Sequence, residues 1–433
     1  MEMPSPDTEE WRYSPIADFD FADWRPSLEK PGNAKELVAM LKSVVPDVMG
    51  LAICRDGWLL HAELSEESAA KGVKLRAAEE EQDLPWLSDG ISSSSINSSS
   101  ISSGSGEIPA QGDIFRQMCL AFSPGPVVLS VPSGIDVEGV ILVIHDFTDE
   151  EGLATFPWLV VNLAENSSAA VLEITGLGGI GASGSEMSGS GGSSSSKPSQ
   201  SNGPSQFVAP LVELSVANSA RLRYLNVQNL PRQTWQIASQ VADVGSQANL
   251  ISSTAALGGD YARLRTDCSL SGRGATGDIV ALSFANESQT MDFRVFHSHI
   301  APDTSSNLLF KGAIDDEARS IYTGLIRVGP DARGTNAFQT NRNLKLSDDA
   351  WAESVPNLEI ENNDVTCSHA STVGPVEEEQ LFYLQSRGVP TDVAERLIVD
   401  GFFAEILDAL PLQSAVPMVK QVLHEKLPYE FAE

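Results

Sequence analysis

Between Ala220 and Val365 the chain keeps a rhythm that few folds can satisfy. Strand-like segments start near Arg221, Trp235, Asn249, Ala262, Gly277, Asp292, Asn307, Ser320, Asn336, Trp351 and Val365, roughly fourteen or fifteen residues apart. A pair of strands therefore recurs at about thirty residues, within the periods that mark solenoids and arrays. The segments are Ile, Leu, Val and Phe punctuated by Asn, Ser and Thr. Turn residues fill the gaps, among them Asp243-Val-Gly245, Gly258-Gly259, Ser271-Gly-Arg-Gly274, Pro302-Asp303, Gly329-Pro-Asp331 and Ser347-Asp-Asp349. Two strands per coil make one rung of a parallel β-helix, and each rung buries its face only against its neighbours. A β-sandwich also strings short strands between turns, but evenly spaced strands with no cysteine–tryptophan pin fit it less well.

The same style of strand extends upstream. Val127–Val131, Gly139–Ile144 and Trp158–Val161 are short β-branched runs between turns, preceded by a helix near Phe115–Ala121. Leu51–Cys54 and Trp58–His61, split by Arg55-Asp-Gly57, read as a hairpin. Leu37, Val38, Leu41, Val44 and Val45 recur at helical spacing between Ala34 and Val45. Glu10-Trp-Arg-Tyr-Ser14 reads as an arm docked by its aromatics. Residues 91–106 are almost pure serine and 178–205 mostly glycine and serine. Neither can offset its ordering entropy by apolar burial, and strand patterns resume on each side, so both read as overgrown loops. The expected organisation is an N-terminal arm, helix and hairpin region over 1–112, a β-helix core over 113–374 and a helical region over 375–433.

After Gly374-Pro375 the pattern turns helical. Glu377-Glu-Glu379 suits a first turn closed by Arg387 and Gly388. Thr391 can cap a second helix that runs to Leu410, and a third spans about Ala415 to Lys426. Around Leu397–Phe403 the apolar residues exceed one stripe, so they serve either a docking surface or packing against the solenoid.

Net charge is −31, from 59 acidic against 28 basic residues, a field that repels nucleic acid. No apolar run approaches the roughly eighteen residues of a membrane span. The first ten residues are acidic and proline-bearing, unlike a signal or transit peptide, so a cytoplasmic location is expected. The 4 cysteines lack a short C-x-x-C spacing, which argues against a disulfide framework or a self-contained zinc site.

The chemically pointed stretch is Cys367-Ser-His369, at the junction of the two patterns. In an extended segment the thiol and imidazole, two apart, project to one face. A buried cysteine beside a hydrogen-bonded histidine is the plain reading; a pair of metal ligands is the pointed one. His297-Ser-His299 repeats the spacing with two imidazoles. Asp315-Asp-Glu317 can be a polar turn or the acid–base centre of a β-helix carbohydrate-active enzyme. Walker-type, G-x-S-x-G and H-E-x-x-H motifs do not occur in the sequence.

Cys367-Ser-His-Ala-Ser-Thr-Val-Gly374 and Glu378-Glu-Gln-Leu-Phe-Tyr-Leu-Gln-Ser-Arg-Gly388 closely resemble the C-terminal boxes of the SufB/SufD family of the SUF iron–sulfur cluster assembly system. Glu10-Trp-Arg-Tyr13 resembles that family's N-terminal tryptophan motif. Phe310-Lys-Gly312, Asn341-Arg-Asn343-Leu344 and Pro356-Asn-Leu-Glu-Ile360 resemble its last rungs. Ala370 stands where the box usually has glycine, and the serine-rich loops are longer than usual. Gly374 and Leu384-Gln-Ser-Arg387 favour the SufD side of the family over the cluster-bearing SufB side.

The resemblance implies a mainly β chain: a right-handed parallel β-helix with an N-terminal α/β region and a C-terminal α-helical domain. It implies a non-catalytic scaffold that pairs with a SufB-like paralogue and docks the SufC ABC ATPase. Sulfur would come indirectly from a cysteine desulfurase. The ATPase contact would fall on Phe382, Tyr383, Arg387, Leu397, Ile398, Phe402 and Phe403. His369, with Cys367 beside it, would lie at the paralogue interface and share a transient iron–sulfur cluster or iron with the partner. A flavin is admitted at the level of the whole complex, with nothing tightly bound to this chain alone. Thiolate and imidazole both suit iron.

Overall fold

A computed structural model describes residues 4–31, 35, 38–39, 48–78, 114–176 and 204–427. Of the helix expected over Ala34–Val45, only Lys35, Val38 and Ala39 fall within these, and they are helical. The serine-rich stretch 91–106 and nearly all of 178–205 lie outside the described residues.

The strands are β1 (Arg25–Pro26), β2 (Gly50–Arg55), β3 (Trp58–Leu64), β4 (Lys74–Ala77), β5 (Val127–Val131), β6 (Asp136–Asp146), β7 (Leu153–Thr155), β8 (Trp158–Leu163), β9 (Ser168–Thr175), β10 (Gln206–Val208) and β11 (Leu211–Val216). The regular part follows as β12 (Arg221–Gln228), β13 (Thr234–Val244), β14 (Asn249–Ala256), β15 (Tyr261–Leu270), β16 (Thr276–Ala285), β17 (Thr290–His299), β18 (Ser305–Ile314), β19 (Arg319–Val328), β20 (Asn336–Lys345), β21 (Trp351–Ile360) and β22 (Thr366–Pro375). From β11 onward odd and even strands separate into two sheets, ordered β21-β19-β17-β15-β13-β11-β8-β5-β4 and β22-β20-β18-β16-β14-β12-β9-β6-β2-β3. This is a parallel β-solenoid of about seven turns, as the sequence rhythm predicts. Antiparallel pairing occurs at one end, β2 with β3 and β4 with β5, so the predicted hairpin extends the second sheet.

The strands alternate because one face of each points into the coil. Inward columns run the length of the solenoid. One of them passes through Leu214, Ala242, Cys268, His297, Ile326 and Leu358 in register. The corners are equally regular. Asn166, Ser219, Gln247, Gly274, Asp303 and Gly334 all have positive φ, between 56° and 73°. Each N–H bonds to the corner carbonyl of the next coil, as in Ser219 N to Ser246 O at 2.8 Å. Asn, Asp and Gly tolerate that left-handed conformation best, which explains why such residues punctuate the repeat.

Both outer faces are partly covered. The N-terminal arm and the helix Ile114–Phe122 lie on the first sheet, where Trp11, Phe115 and Cys119 pack with Phe156, Trp158, Phe207 and Trp235. Three fully buried arginines hold the arm. Arg263 stacks 3.8 Å above the Trp11 ring and donates to Glu10 O at 3.0 Å. Arg265 pairs with the Glu10 carboxylate, and Arg294 donates to Arg12 O at 2.8 Å.

The second sheet is covered by the C-terminal helices. We call Glu66–Ala70 α1, Ile114–Phe122 α2, Glu378–Ser386 α3, Thr391–Ala409 α4 and Val416–Lys426 α5. Val399, Phe403, Ile406, Val419 and Leu423 pack on the outward residues Leu225, Leu282, Phe284 and Leu309. Lys311 fixes α4 by donating to Phe402 O at 2.9 Å, and its ammonium lies 2.6 Å from Glu405. Thr391 is not the cap of α4. Pro390 precedes the helix, no side chain caps it, and the Thr391 hydroxyl accepts instead from Gln385 at 3.1 Å.

Candidate functional site at the open end of the solenoid

Among the described residues the last coil, β21 and β22, has no strand on its far side: each strand ends its sheet and pairs along one edge only. Parallel in-register neighbours share a face, so the register shows what β22 continues. Cys367 lies beside Ala337, His369 beside Gln339, Ser371 beside Asn341 and Val373 beside Asn343. Those β20 residues are 0%, 1%, 3% and 4% exposed, the floor of the solenoid interior. Cys367 and His369 therefore occupy interior positions of a coil with no described strand stacked above it. His369 is exposed, Cys367 half-buried against the cluster containing Phe310 and Ile326.

On β21 the same argument assigns Ala352, Ser354, Pro356, Leu358 and Ile360 to the interior, opposite buried Ser320, Tyr322, Ile326 and Val328 on β19. Ile360 and Val373 are 45% and 42% exposed. One hydroxyl ties this end together: Ser354 accepts from Asn341 Nδ2 and from the Ser371 hydroxyl, both at 2.7 Å. The result is an unclosed cross-section about one coil deep, apolar towards Ile360 and Val373 and carrying a thiol and an imidazole. Burial pushes the Cys367 thiol up, more than the Ala337 backbone hydrogen bond draws it down. A metal or a basic neighbour would be needed to hold it as thiolate.

The other predicted candidates fall elsewhere. His297 and His299 do share a face, but it is the sealed interior; their rings lie 5.3 Å apart. His299 is engaged at both ring nitrogens, by Thr304 Oγ1 at 2.8 Å and Ser306 Oγ at 2.9 Å. Burial drives the pKa of His297 well down. Among the described residues no group of three or more His, Cys, Asp and Glu is placed to hold a metal ion. Asp315-Asp-Glu317 builds a corner: Asp316 has φ 52° and its carboxylate accepts from Glu287 N at 2.8 Å.

The seven residues expected at an ATPase contact divide. Phe382, Tyr383 and Leu397 are 71%, 58% and 49% exposed, and the Arg387 guanidinium lies over the Tyr383 ring at 5.3 Å. Ile398 and Phe402 are half-buried. Phe403 is 1% exposed: it packs against the outer face of the second sheet and anchors α4, so in this structure it is covered by the chain itself.

Spacing gave no sign of a polar network inside the solenoid. His145 Nε2 lies 2.9 Å from Glu173 Oε1, Tyr224 and Asn226 donate to the other carboxylate oxygen, and Cys54 adjoins His145 in register. A small cavity of about 30 Å³, room for a water or two, is bordered by Glu173, Tyr224, Asn226, Gln236 and Gln240.

Residues 190–402, from ahead of β10 into α4, match the family described as SUF system FeS cluster assembly, SufBD core domain. This region belongs to the SufBD family. Similar proteins include the iron–sulfur cluster assembly SufBD family protein of Mycobacterium tuberculosis H37Rv, 37% identical over 227 residues, 51% of this chain and 56% of that protein. The namesake from Mycobacterium leprae is 36% identical over 227 residues, 51% of this chain and 57% of its own. That of Staphylococcus saprophyticus is 30% identical over 215 residues, 50% of this chain and 46% of its own. The chain thus spans about half the length of the curated SufBD relatives it matches. No helix among the described residues is long and apolar enough to cross a membrane.

Proposed function

We propose that this SufBD chain is a non-catalytic, cytoplasmic scaffold subunit of an iron–sulfur cluster assembly complex. It pairs through its open coil with a SufB-like paralogue. The observation that carries this reading is the exposed interior of β21 and β22. Two ten-residue strands each present an edge that is unpaired among the described residues, and interior-facing side chains are left exposed there. A second solenoid would pair with those edges and cover Ile360 and Val373.

The nascent cluster or iron is cargo at that seam. The donor set fits it, since imidazole is a borderline ligand and thiolate a soft one. His369 is the first ligand and Cys367 the second candidate; two donors cannot complete a cluster, so the paralogue supplies the rest. Phe382, Tyr383, Arg387 and Leu397 form the face that receives a SufC-like ABC ATPase, whose hydrolysis would open the seam. The sulfur would reach it indirectly from a cysteine desulfurase.

The test is His369→Ala in the complex co-expressed with a SufB-like chain and the ATPase. The complex should still assemble while cluster absorbance falls severalfold. Unchanged cluster absorbance in an intact complex would reduce His369 to a structural residue.

A further inference from the structure

Beneath His369 sits an anomaly. Gln339 is 1% exposed, yet neither its Oε1 nor its Nε2 has a hydrogen-bond partner. Buried carboxamides are ordinarily satisfied, because stripping water from both ends without replacement is costly. Its column leaves few ways to satisfy it. In register the neighbours are Leu308 on β18, which is apolar, and His369 on β22.

Across the coil the side chain reaches Gly324 on β19. A Cβ there would come within 2.4 Å of Gln339 Nε2 and 2.5 Å of the Tyr322 hydroxyl, so the glycine makes the notch into which both polar tips fit. The Tyr322 hydroxyl is also buried and without a partner. The amide nitrogen and the Tyr322 hydroxyl thus share one notch. In its column the polar neighbour on the open side is the imidazole of His369.

We propose that Gln339 is the positioning residue of His369: with the ring turned inward, the unpartnered Oε1 accepts the imidazole Nδ1–H and leaves the Nε2 lone pair directed out of the open coil. Tyr322, whose hydroxyl shares the Gly324 notch with the amide nitrogen, keeps the carboxamide in that orientation. The logic is that of a histidine ligand whose second nitrogen is fixed by a hydrogen bond, which sets both tautomer and ring direction. The inference deepens the reading of His369 as a ligand and rests on it for its purpose, but both residues of the contact belong to this chain.

The experiment therefore needs no metal. The full chain is labelled with ¹⁵N-histidine, the two ring nitrogens of His369 are assigned among the 6 histidines by comparison with His369→Ala, and spectra are taken where the imidazole is neutral. The native chain should show one protonated and one bare nitrogen, widely separated in shift. Gln339→Met, matched in length, should collapse the pair towards the average of two exchanging tautomers, and Gln339→Glu, which keeps an acceptor oxygen, should restore the separation. Averaged tautomers in the native chain would overturn the proposal whatever the variants do. So would an unchanged His369 pair in a Gln339→Met chain whose circular dichroism and His299 signals are native. A failure here leaves the cluster test of His369→Ala untouched. Conversely, normal cluster loading by His369→Ala would remove the ligand role while the Gln339 contact stands.

Discussion

His145 and Glu173 face each other inside the solenoid with 2.9 Å between Nε2 and Oε1, each side chain 2% exposed. They come from β6 and β9, neighbouring strands of the second sheet. Burial works against a charged imidazole, but Cys54 and Glu173 more than offset it, and the pKa of His145 is pushed up to about 10. Removing one partner of such a pair strands the other charge in a low-dielectric interior.

His145→Gln should therefore cost about 3–5 kcal/mol of stability. The sign with pH follows from the raised value: the stabilisation is complete below the ordinary histidine pKa of 6.5 and is lost as pH climbs towards about 10. Urea midpoints measured across that window should fall in the native chain and lose this component in the variant. Equal slopes would mean the pair is neutral throughout.

Lys426 should give a slope of the opposite sign. Its ammonium, at the end of α5, donates to Phe284 O and Asn286 Oδ1, both at 3.1 Å, and to Gln289. Burial, with Arg232 adding to it and Glu287 opposing, lowers its pKa from 10.5 to about 7. The folded state thus resists the charged form: the penalty is full below about pH 7 and is relieved as pH rises towards 10.5. Lys426→Met should abolish this rise, which the His145→Gln background would display most clearly in urea titrations.

The C-terminal helices should separate surface from anchor. Phe382→Ala and Leu397→Ala, at 71% and 49% exposed sites, should leave the melting temperature nearly unchanged while weakening co-purification with the ATPase. Phe403→Ala, at a 1% exposed site, should destabilise the packing of α4 by about 3–5 kcal/mol. Loss of ATPase binding by Phe403→Ala alone, with both surface variants normal, would remove the proposed contact face.

Cys367 should alkylate slowly at neutral pH and faster as pH rises, by about tenfold per unit while the thiol remains below its raised pKa. Cys54, Cys119 and Cys268, all 1% exposed, should stay protected in the native chain. Mass spectrometry after timed iodoacetamide treatment reads all four. Binding of a paralogue over the open coil should protect Cys367 as well; continued labelling in that complex would place the seam elsewhere.

The solenoid was legible because its cause is local and repeated. Alternating apolar residues, and short polar or glycine-bearing turns at the corners, recur every half coil, and no distant contact is needed to read them. The arm, with Trp11 seeking burial, and the thiol–imidazole pair on one face of β22 followed from the same local rules. What the sequence could not decide is which face of each strand lies within the coil, and where the coil stops. Both depend on register between strands that a half coil or more of chain separates. Register seals His297 and His299 inside, brings His145 to Glu173 and sets His369 above a carboxamide with no other polar neighbour in its column; docking of α4 on the outer sheet face buries Phe403 while Leu397 stays out. The residues of Cys367-Ser-His369 carry the donor chemistry. Only the unclosed last coil makes it available to a partner, because interior side chains become a surface where stacking ends.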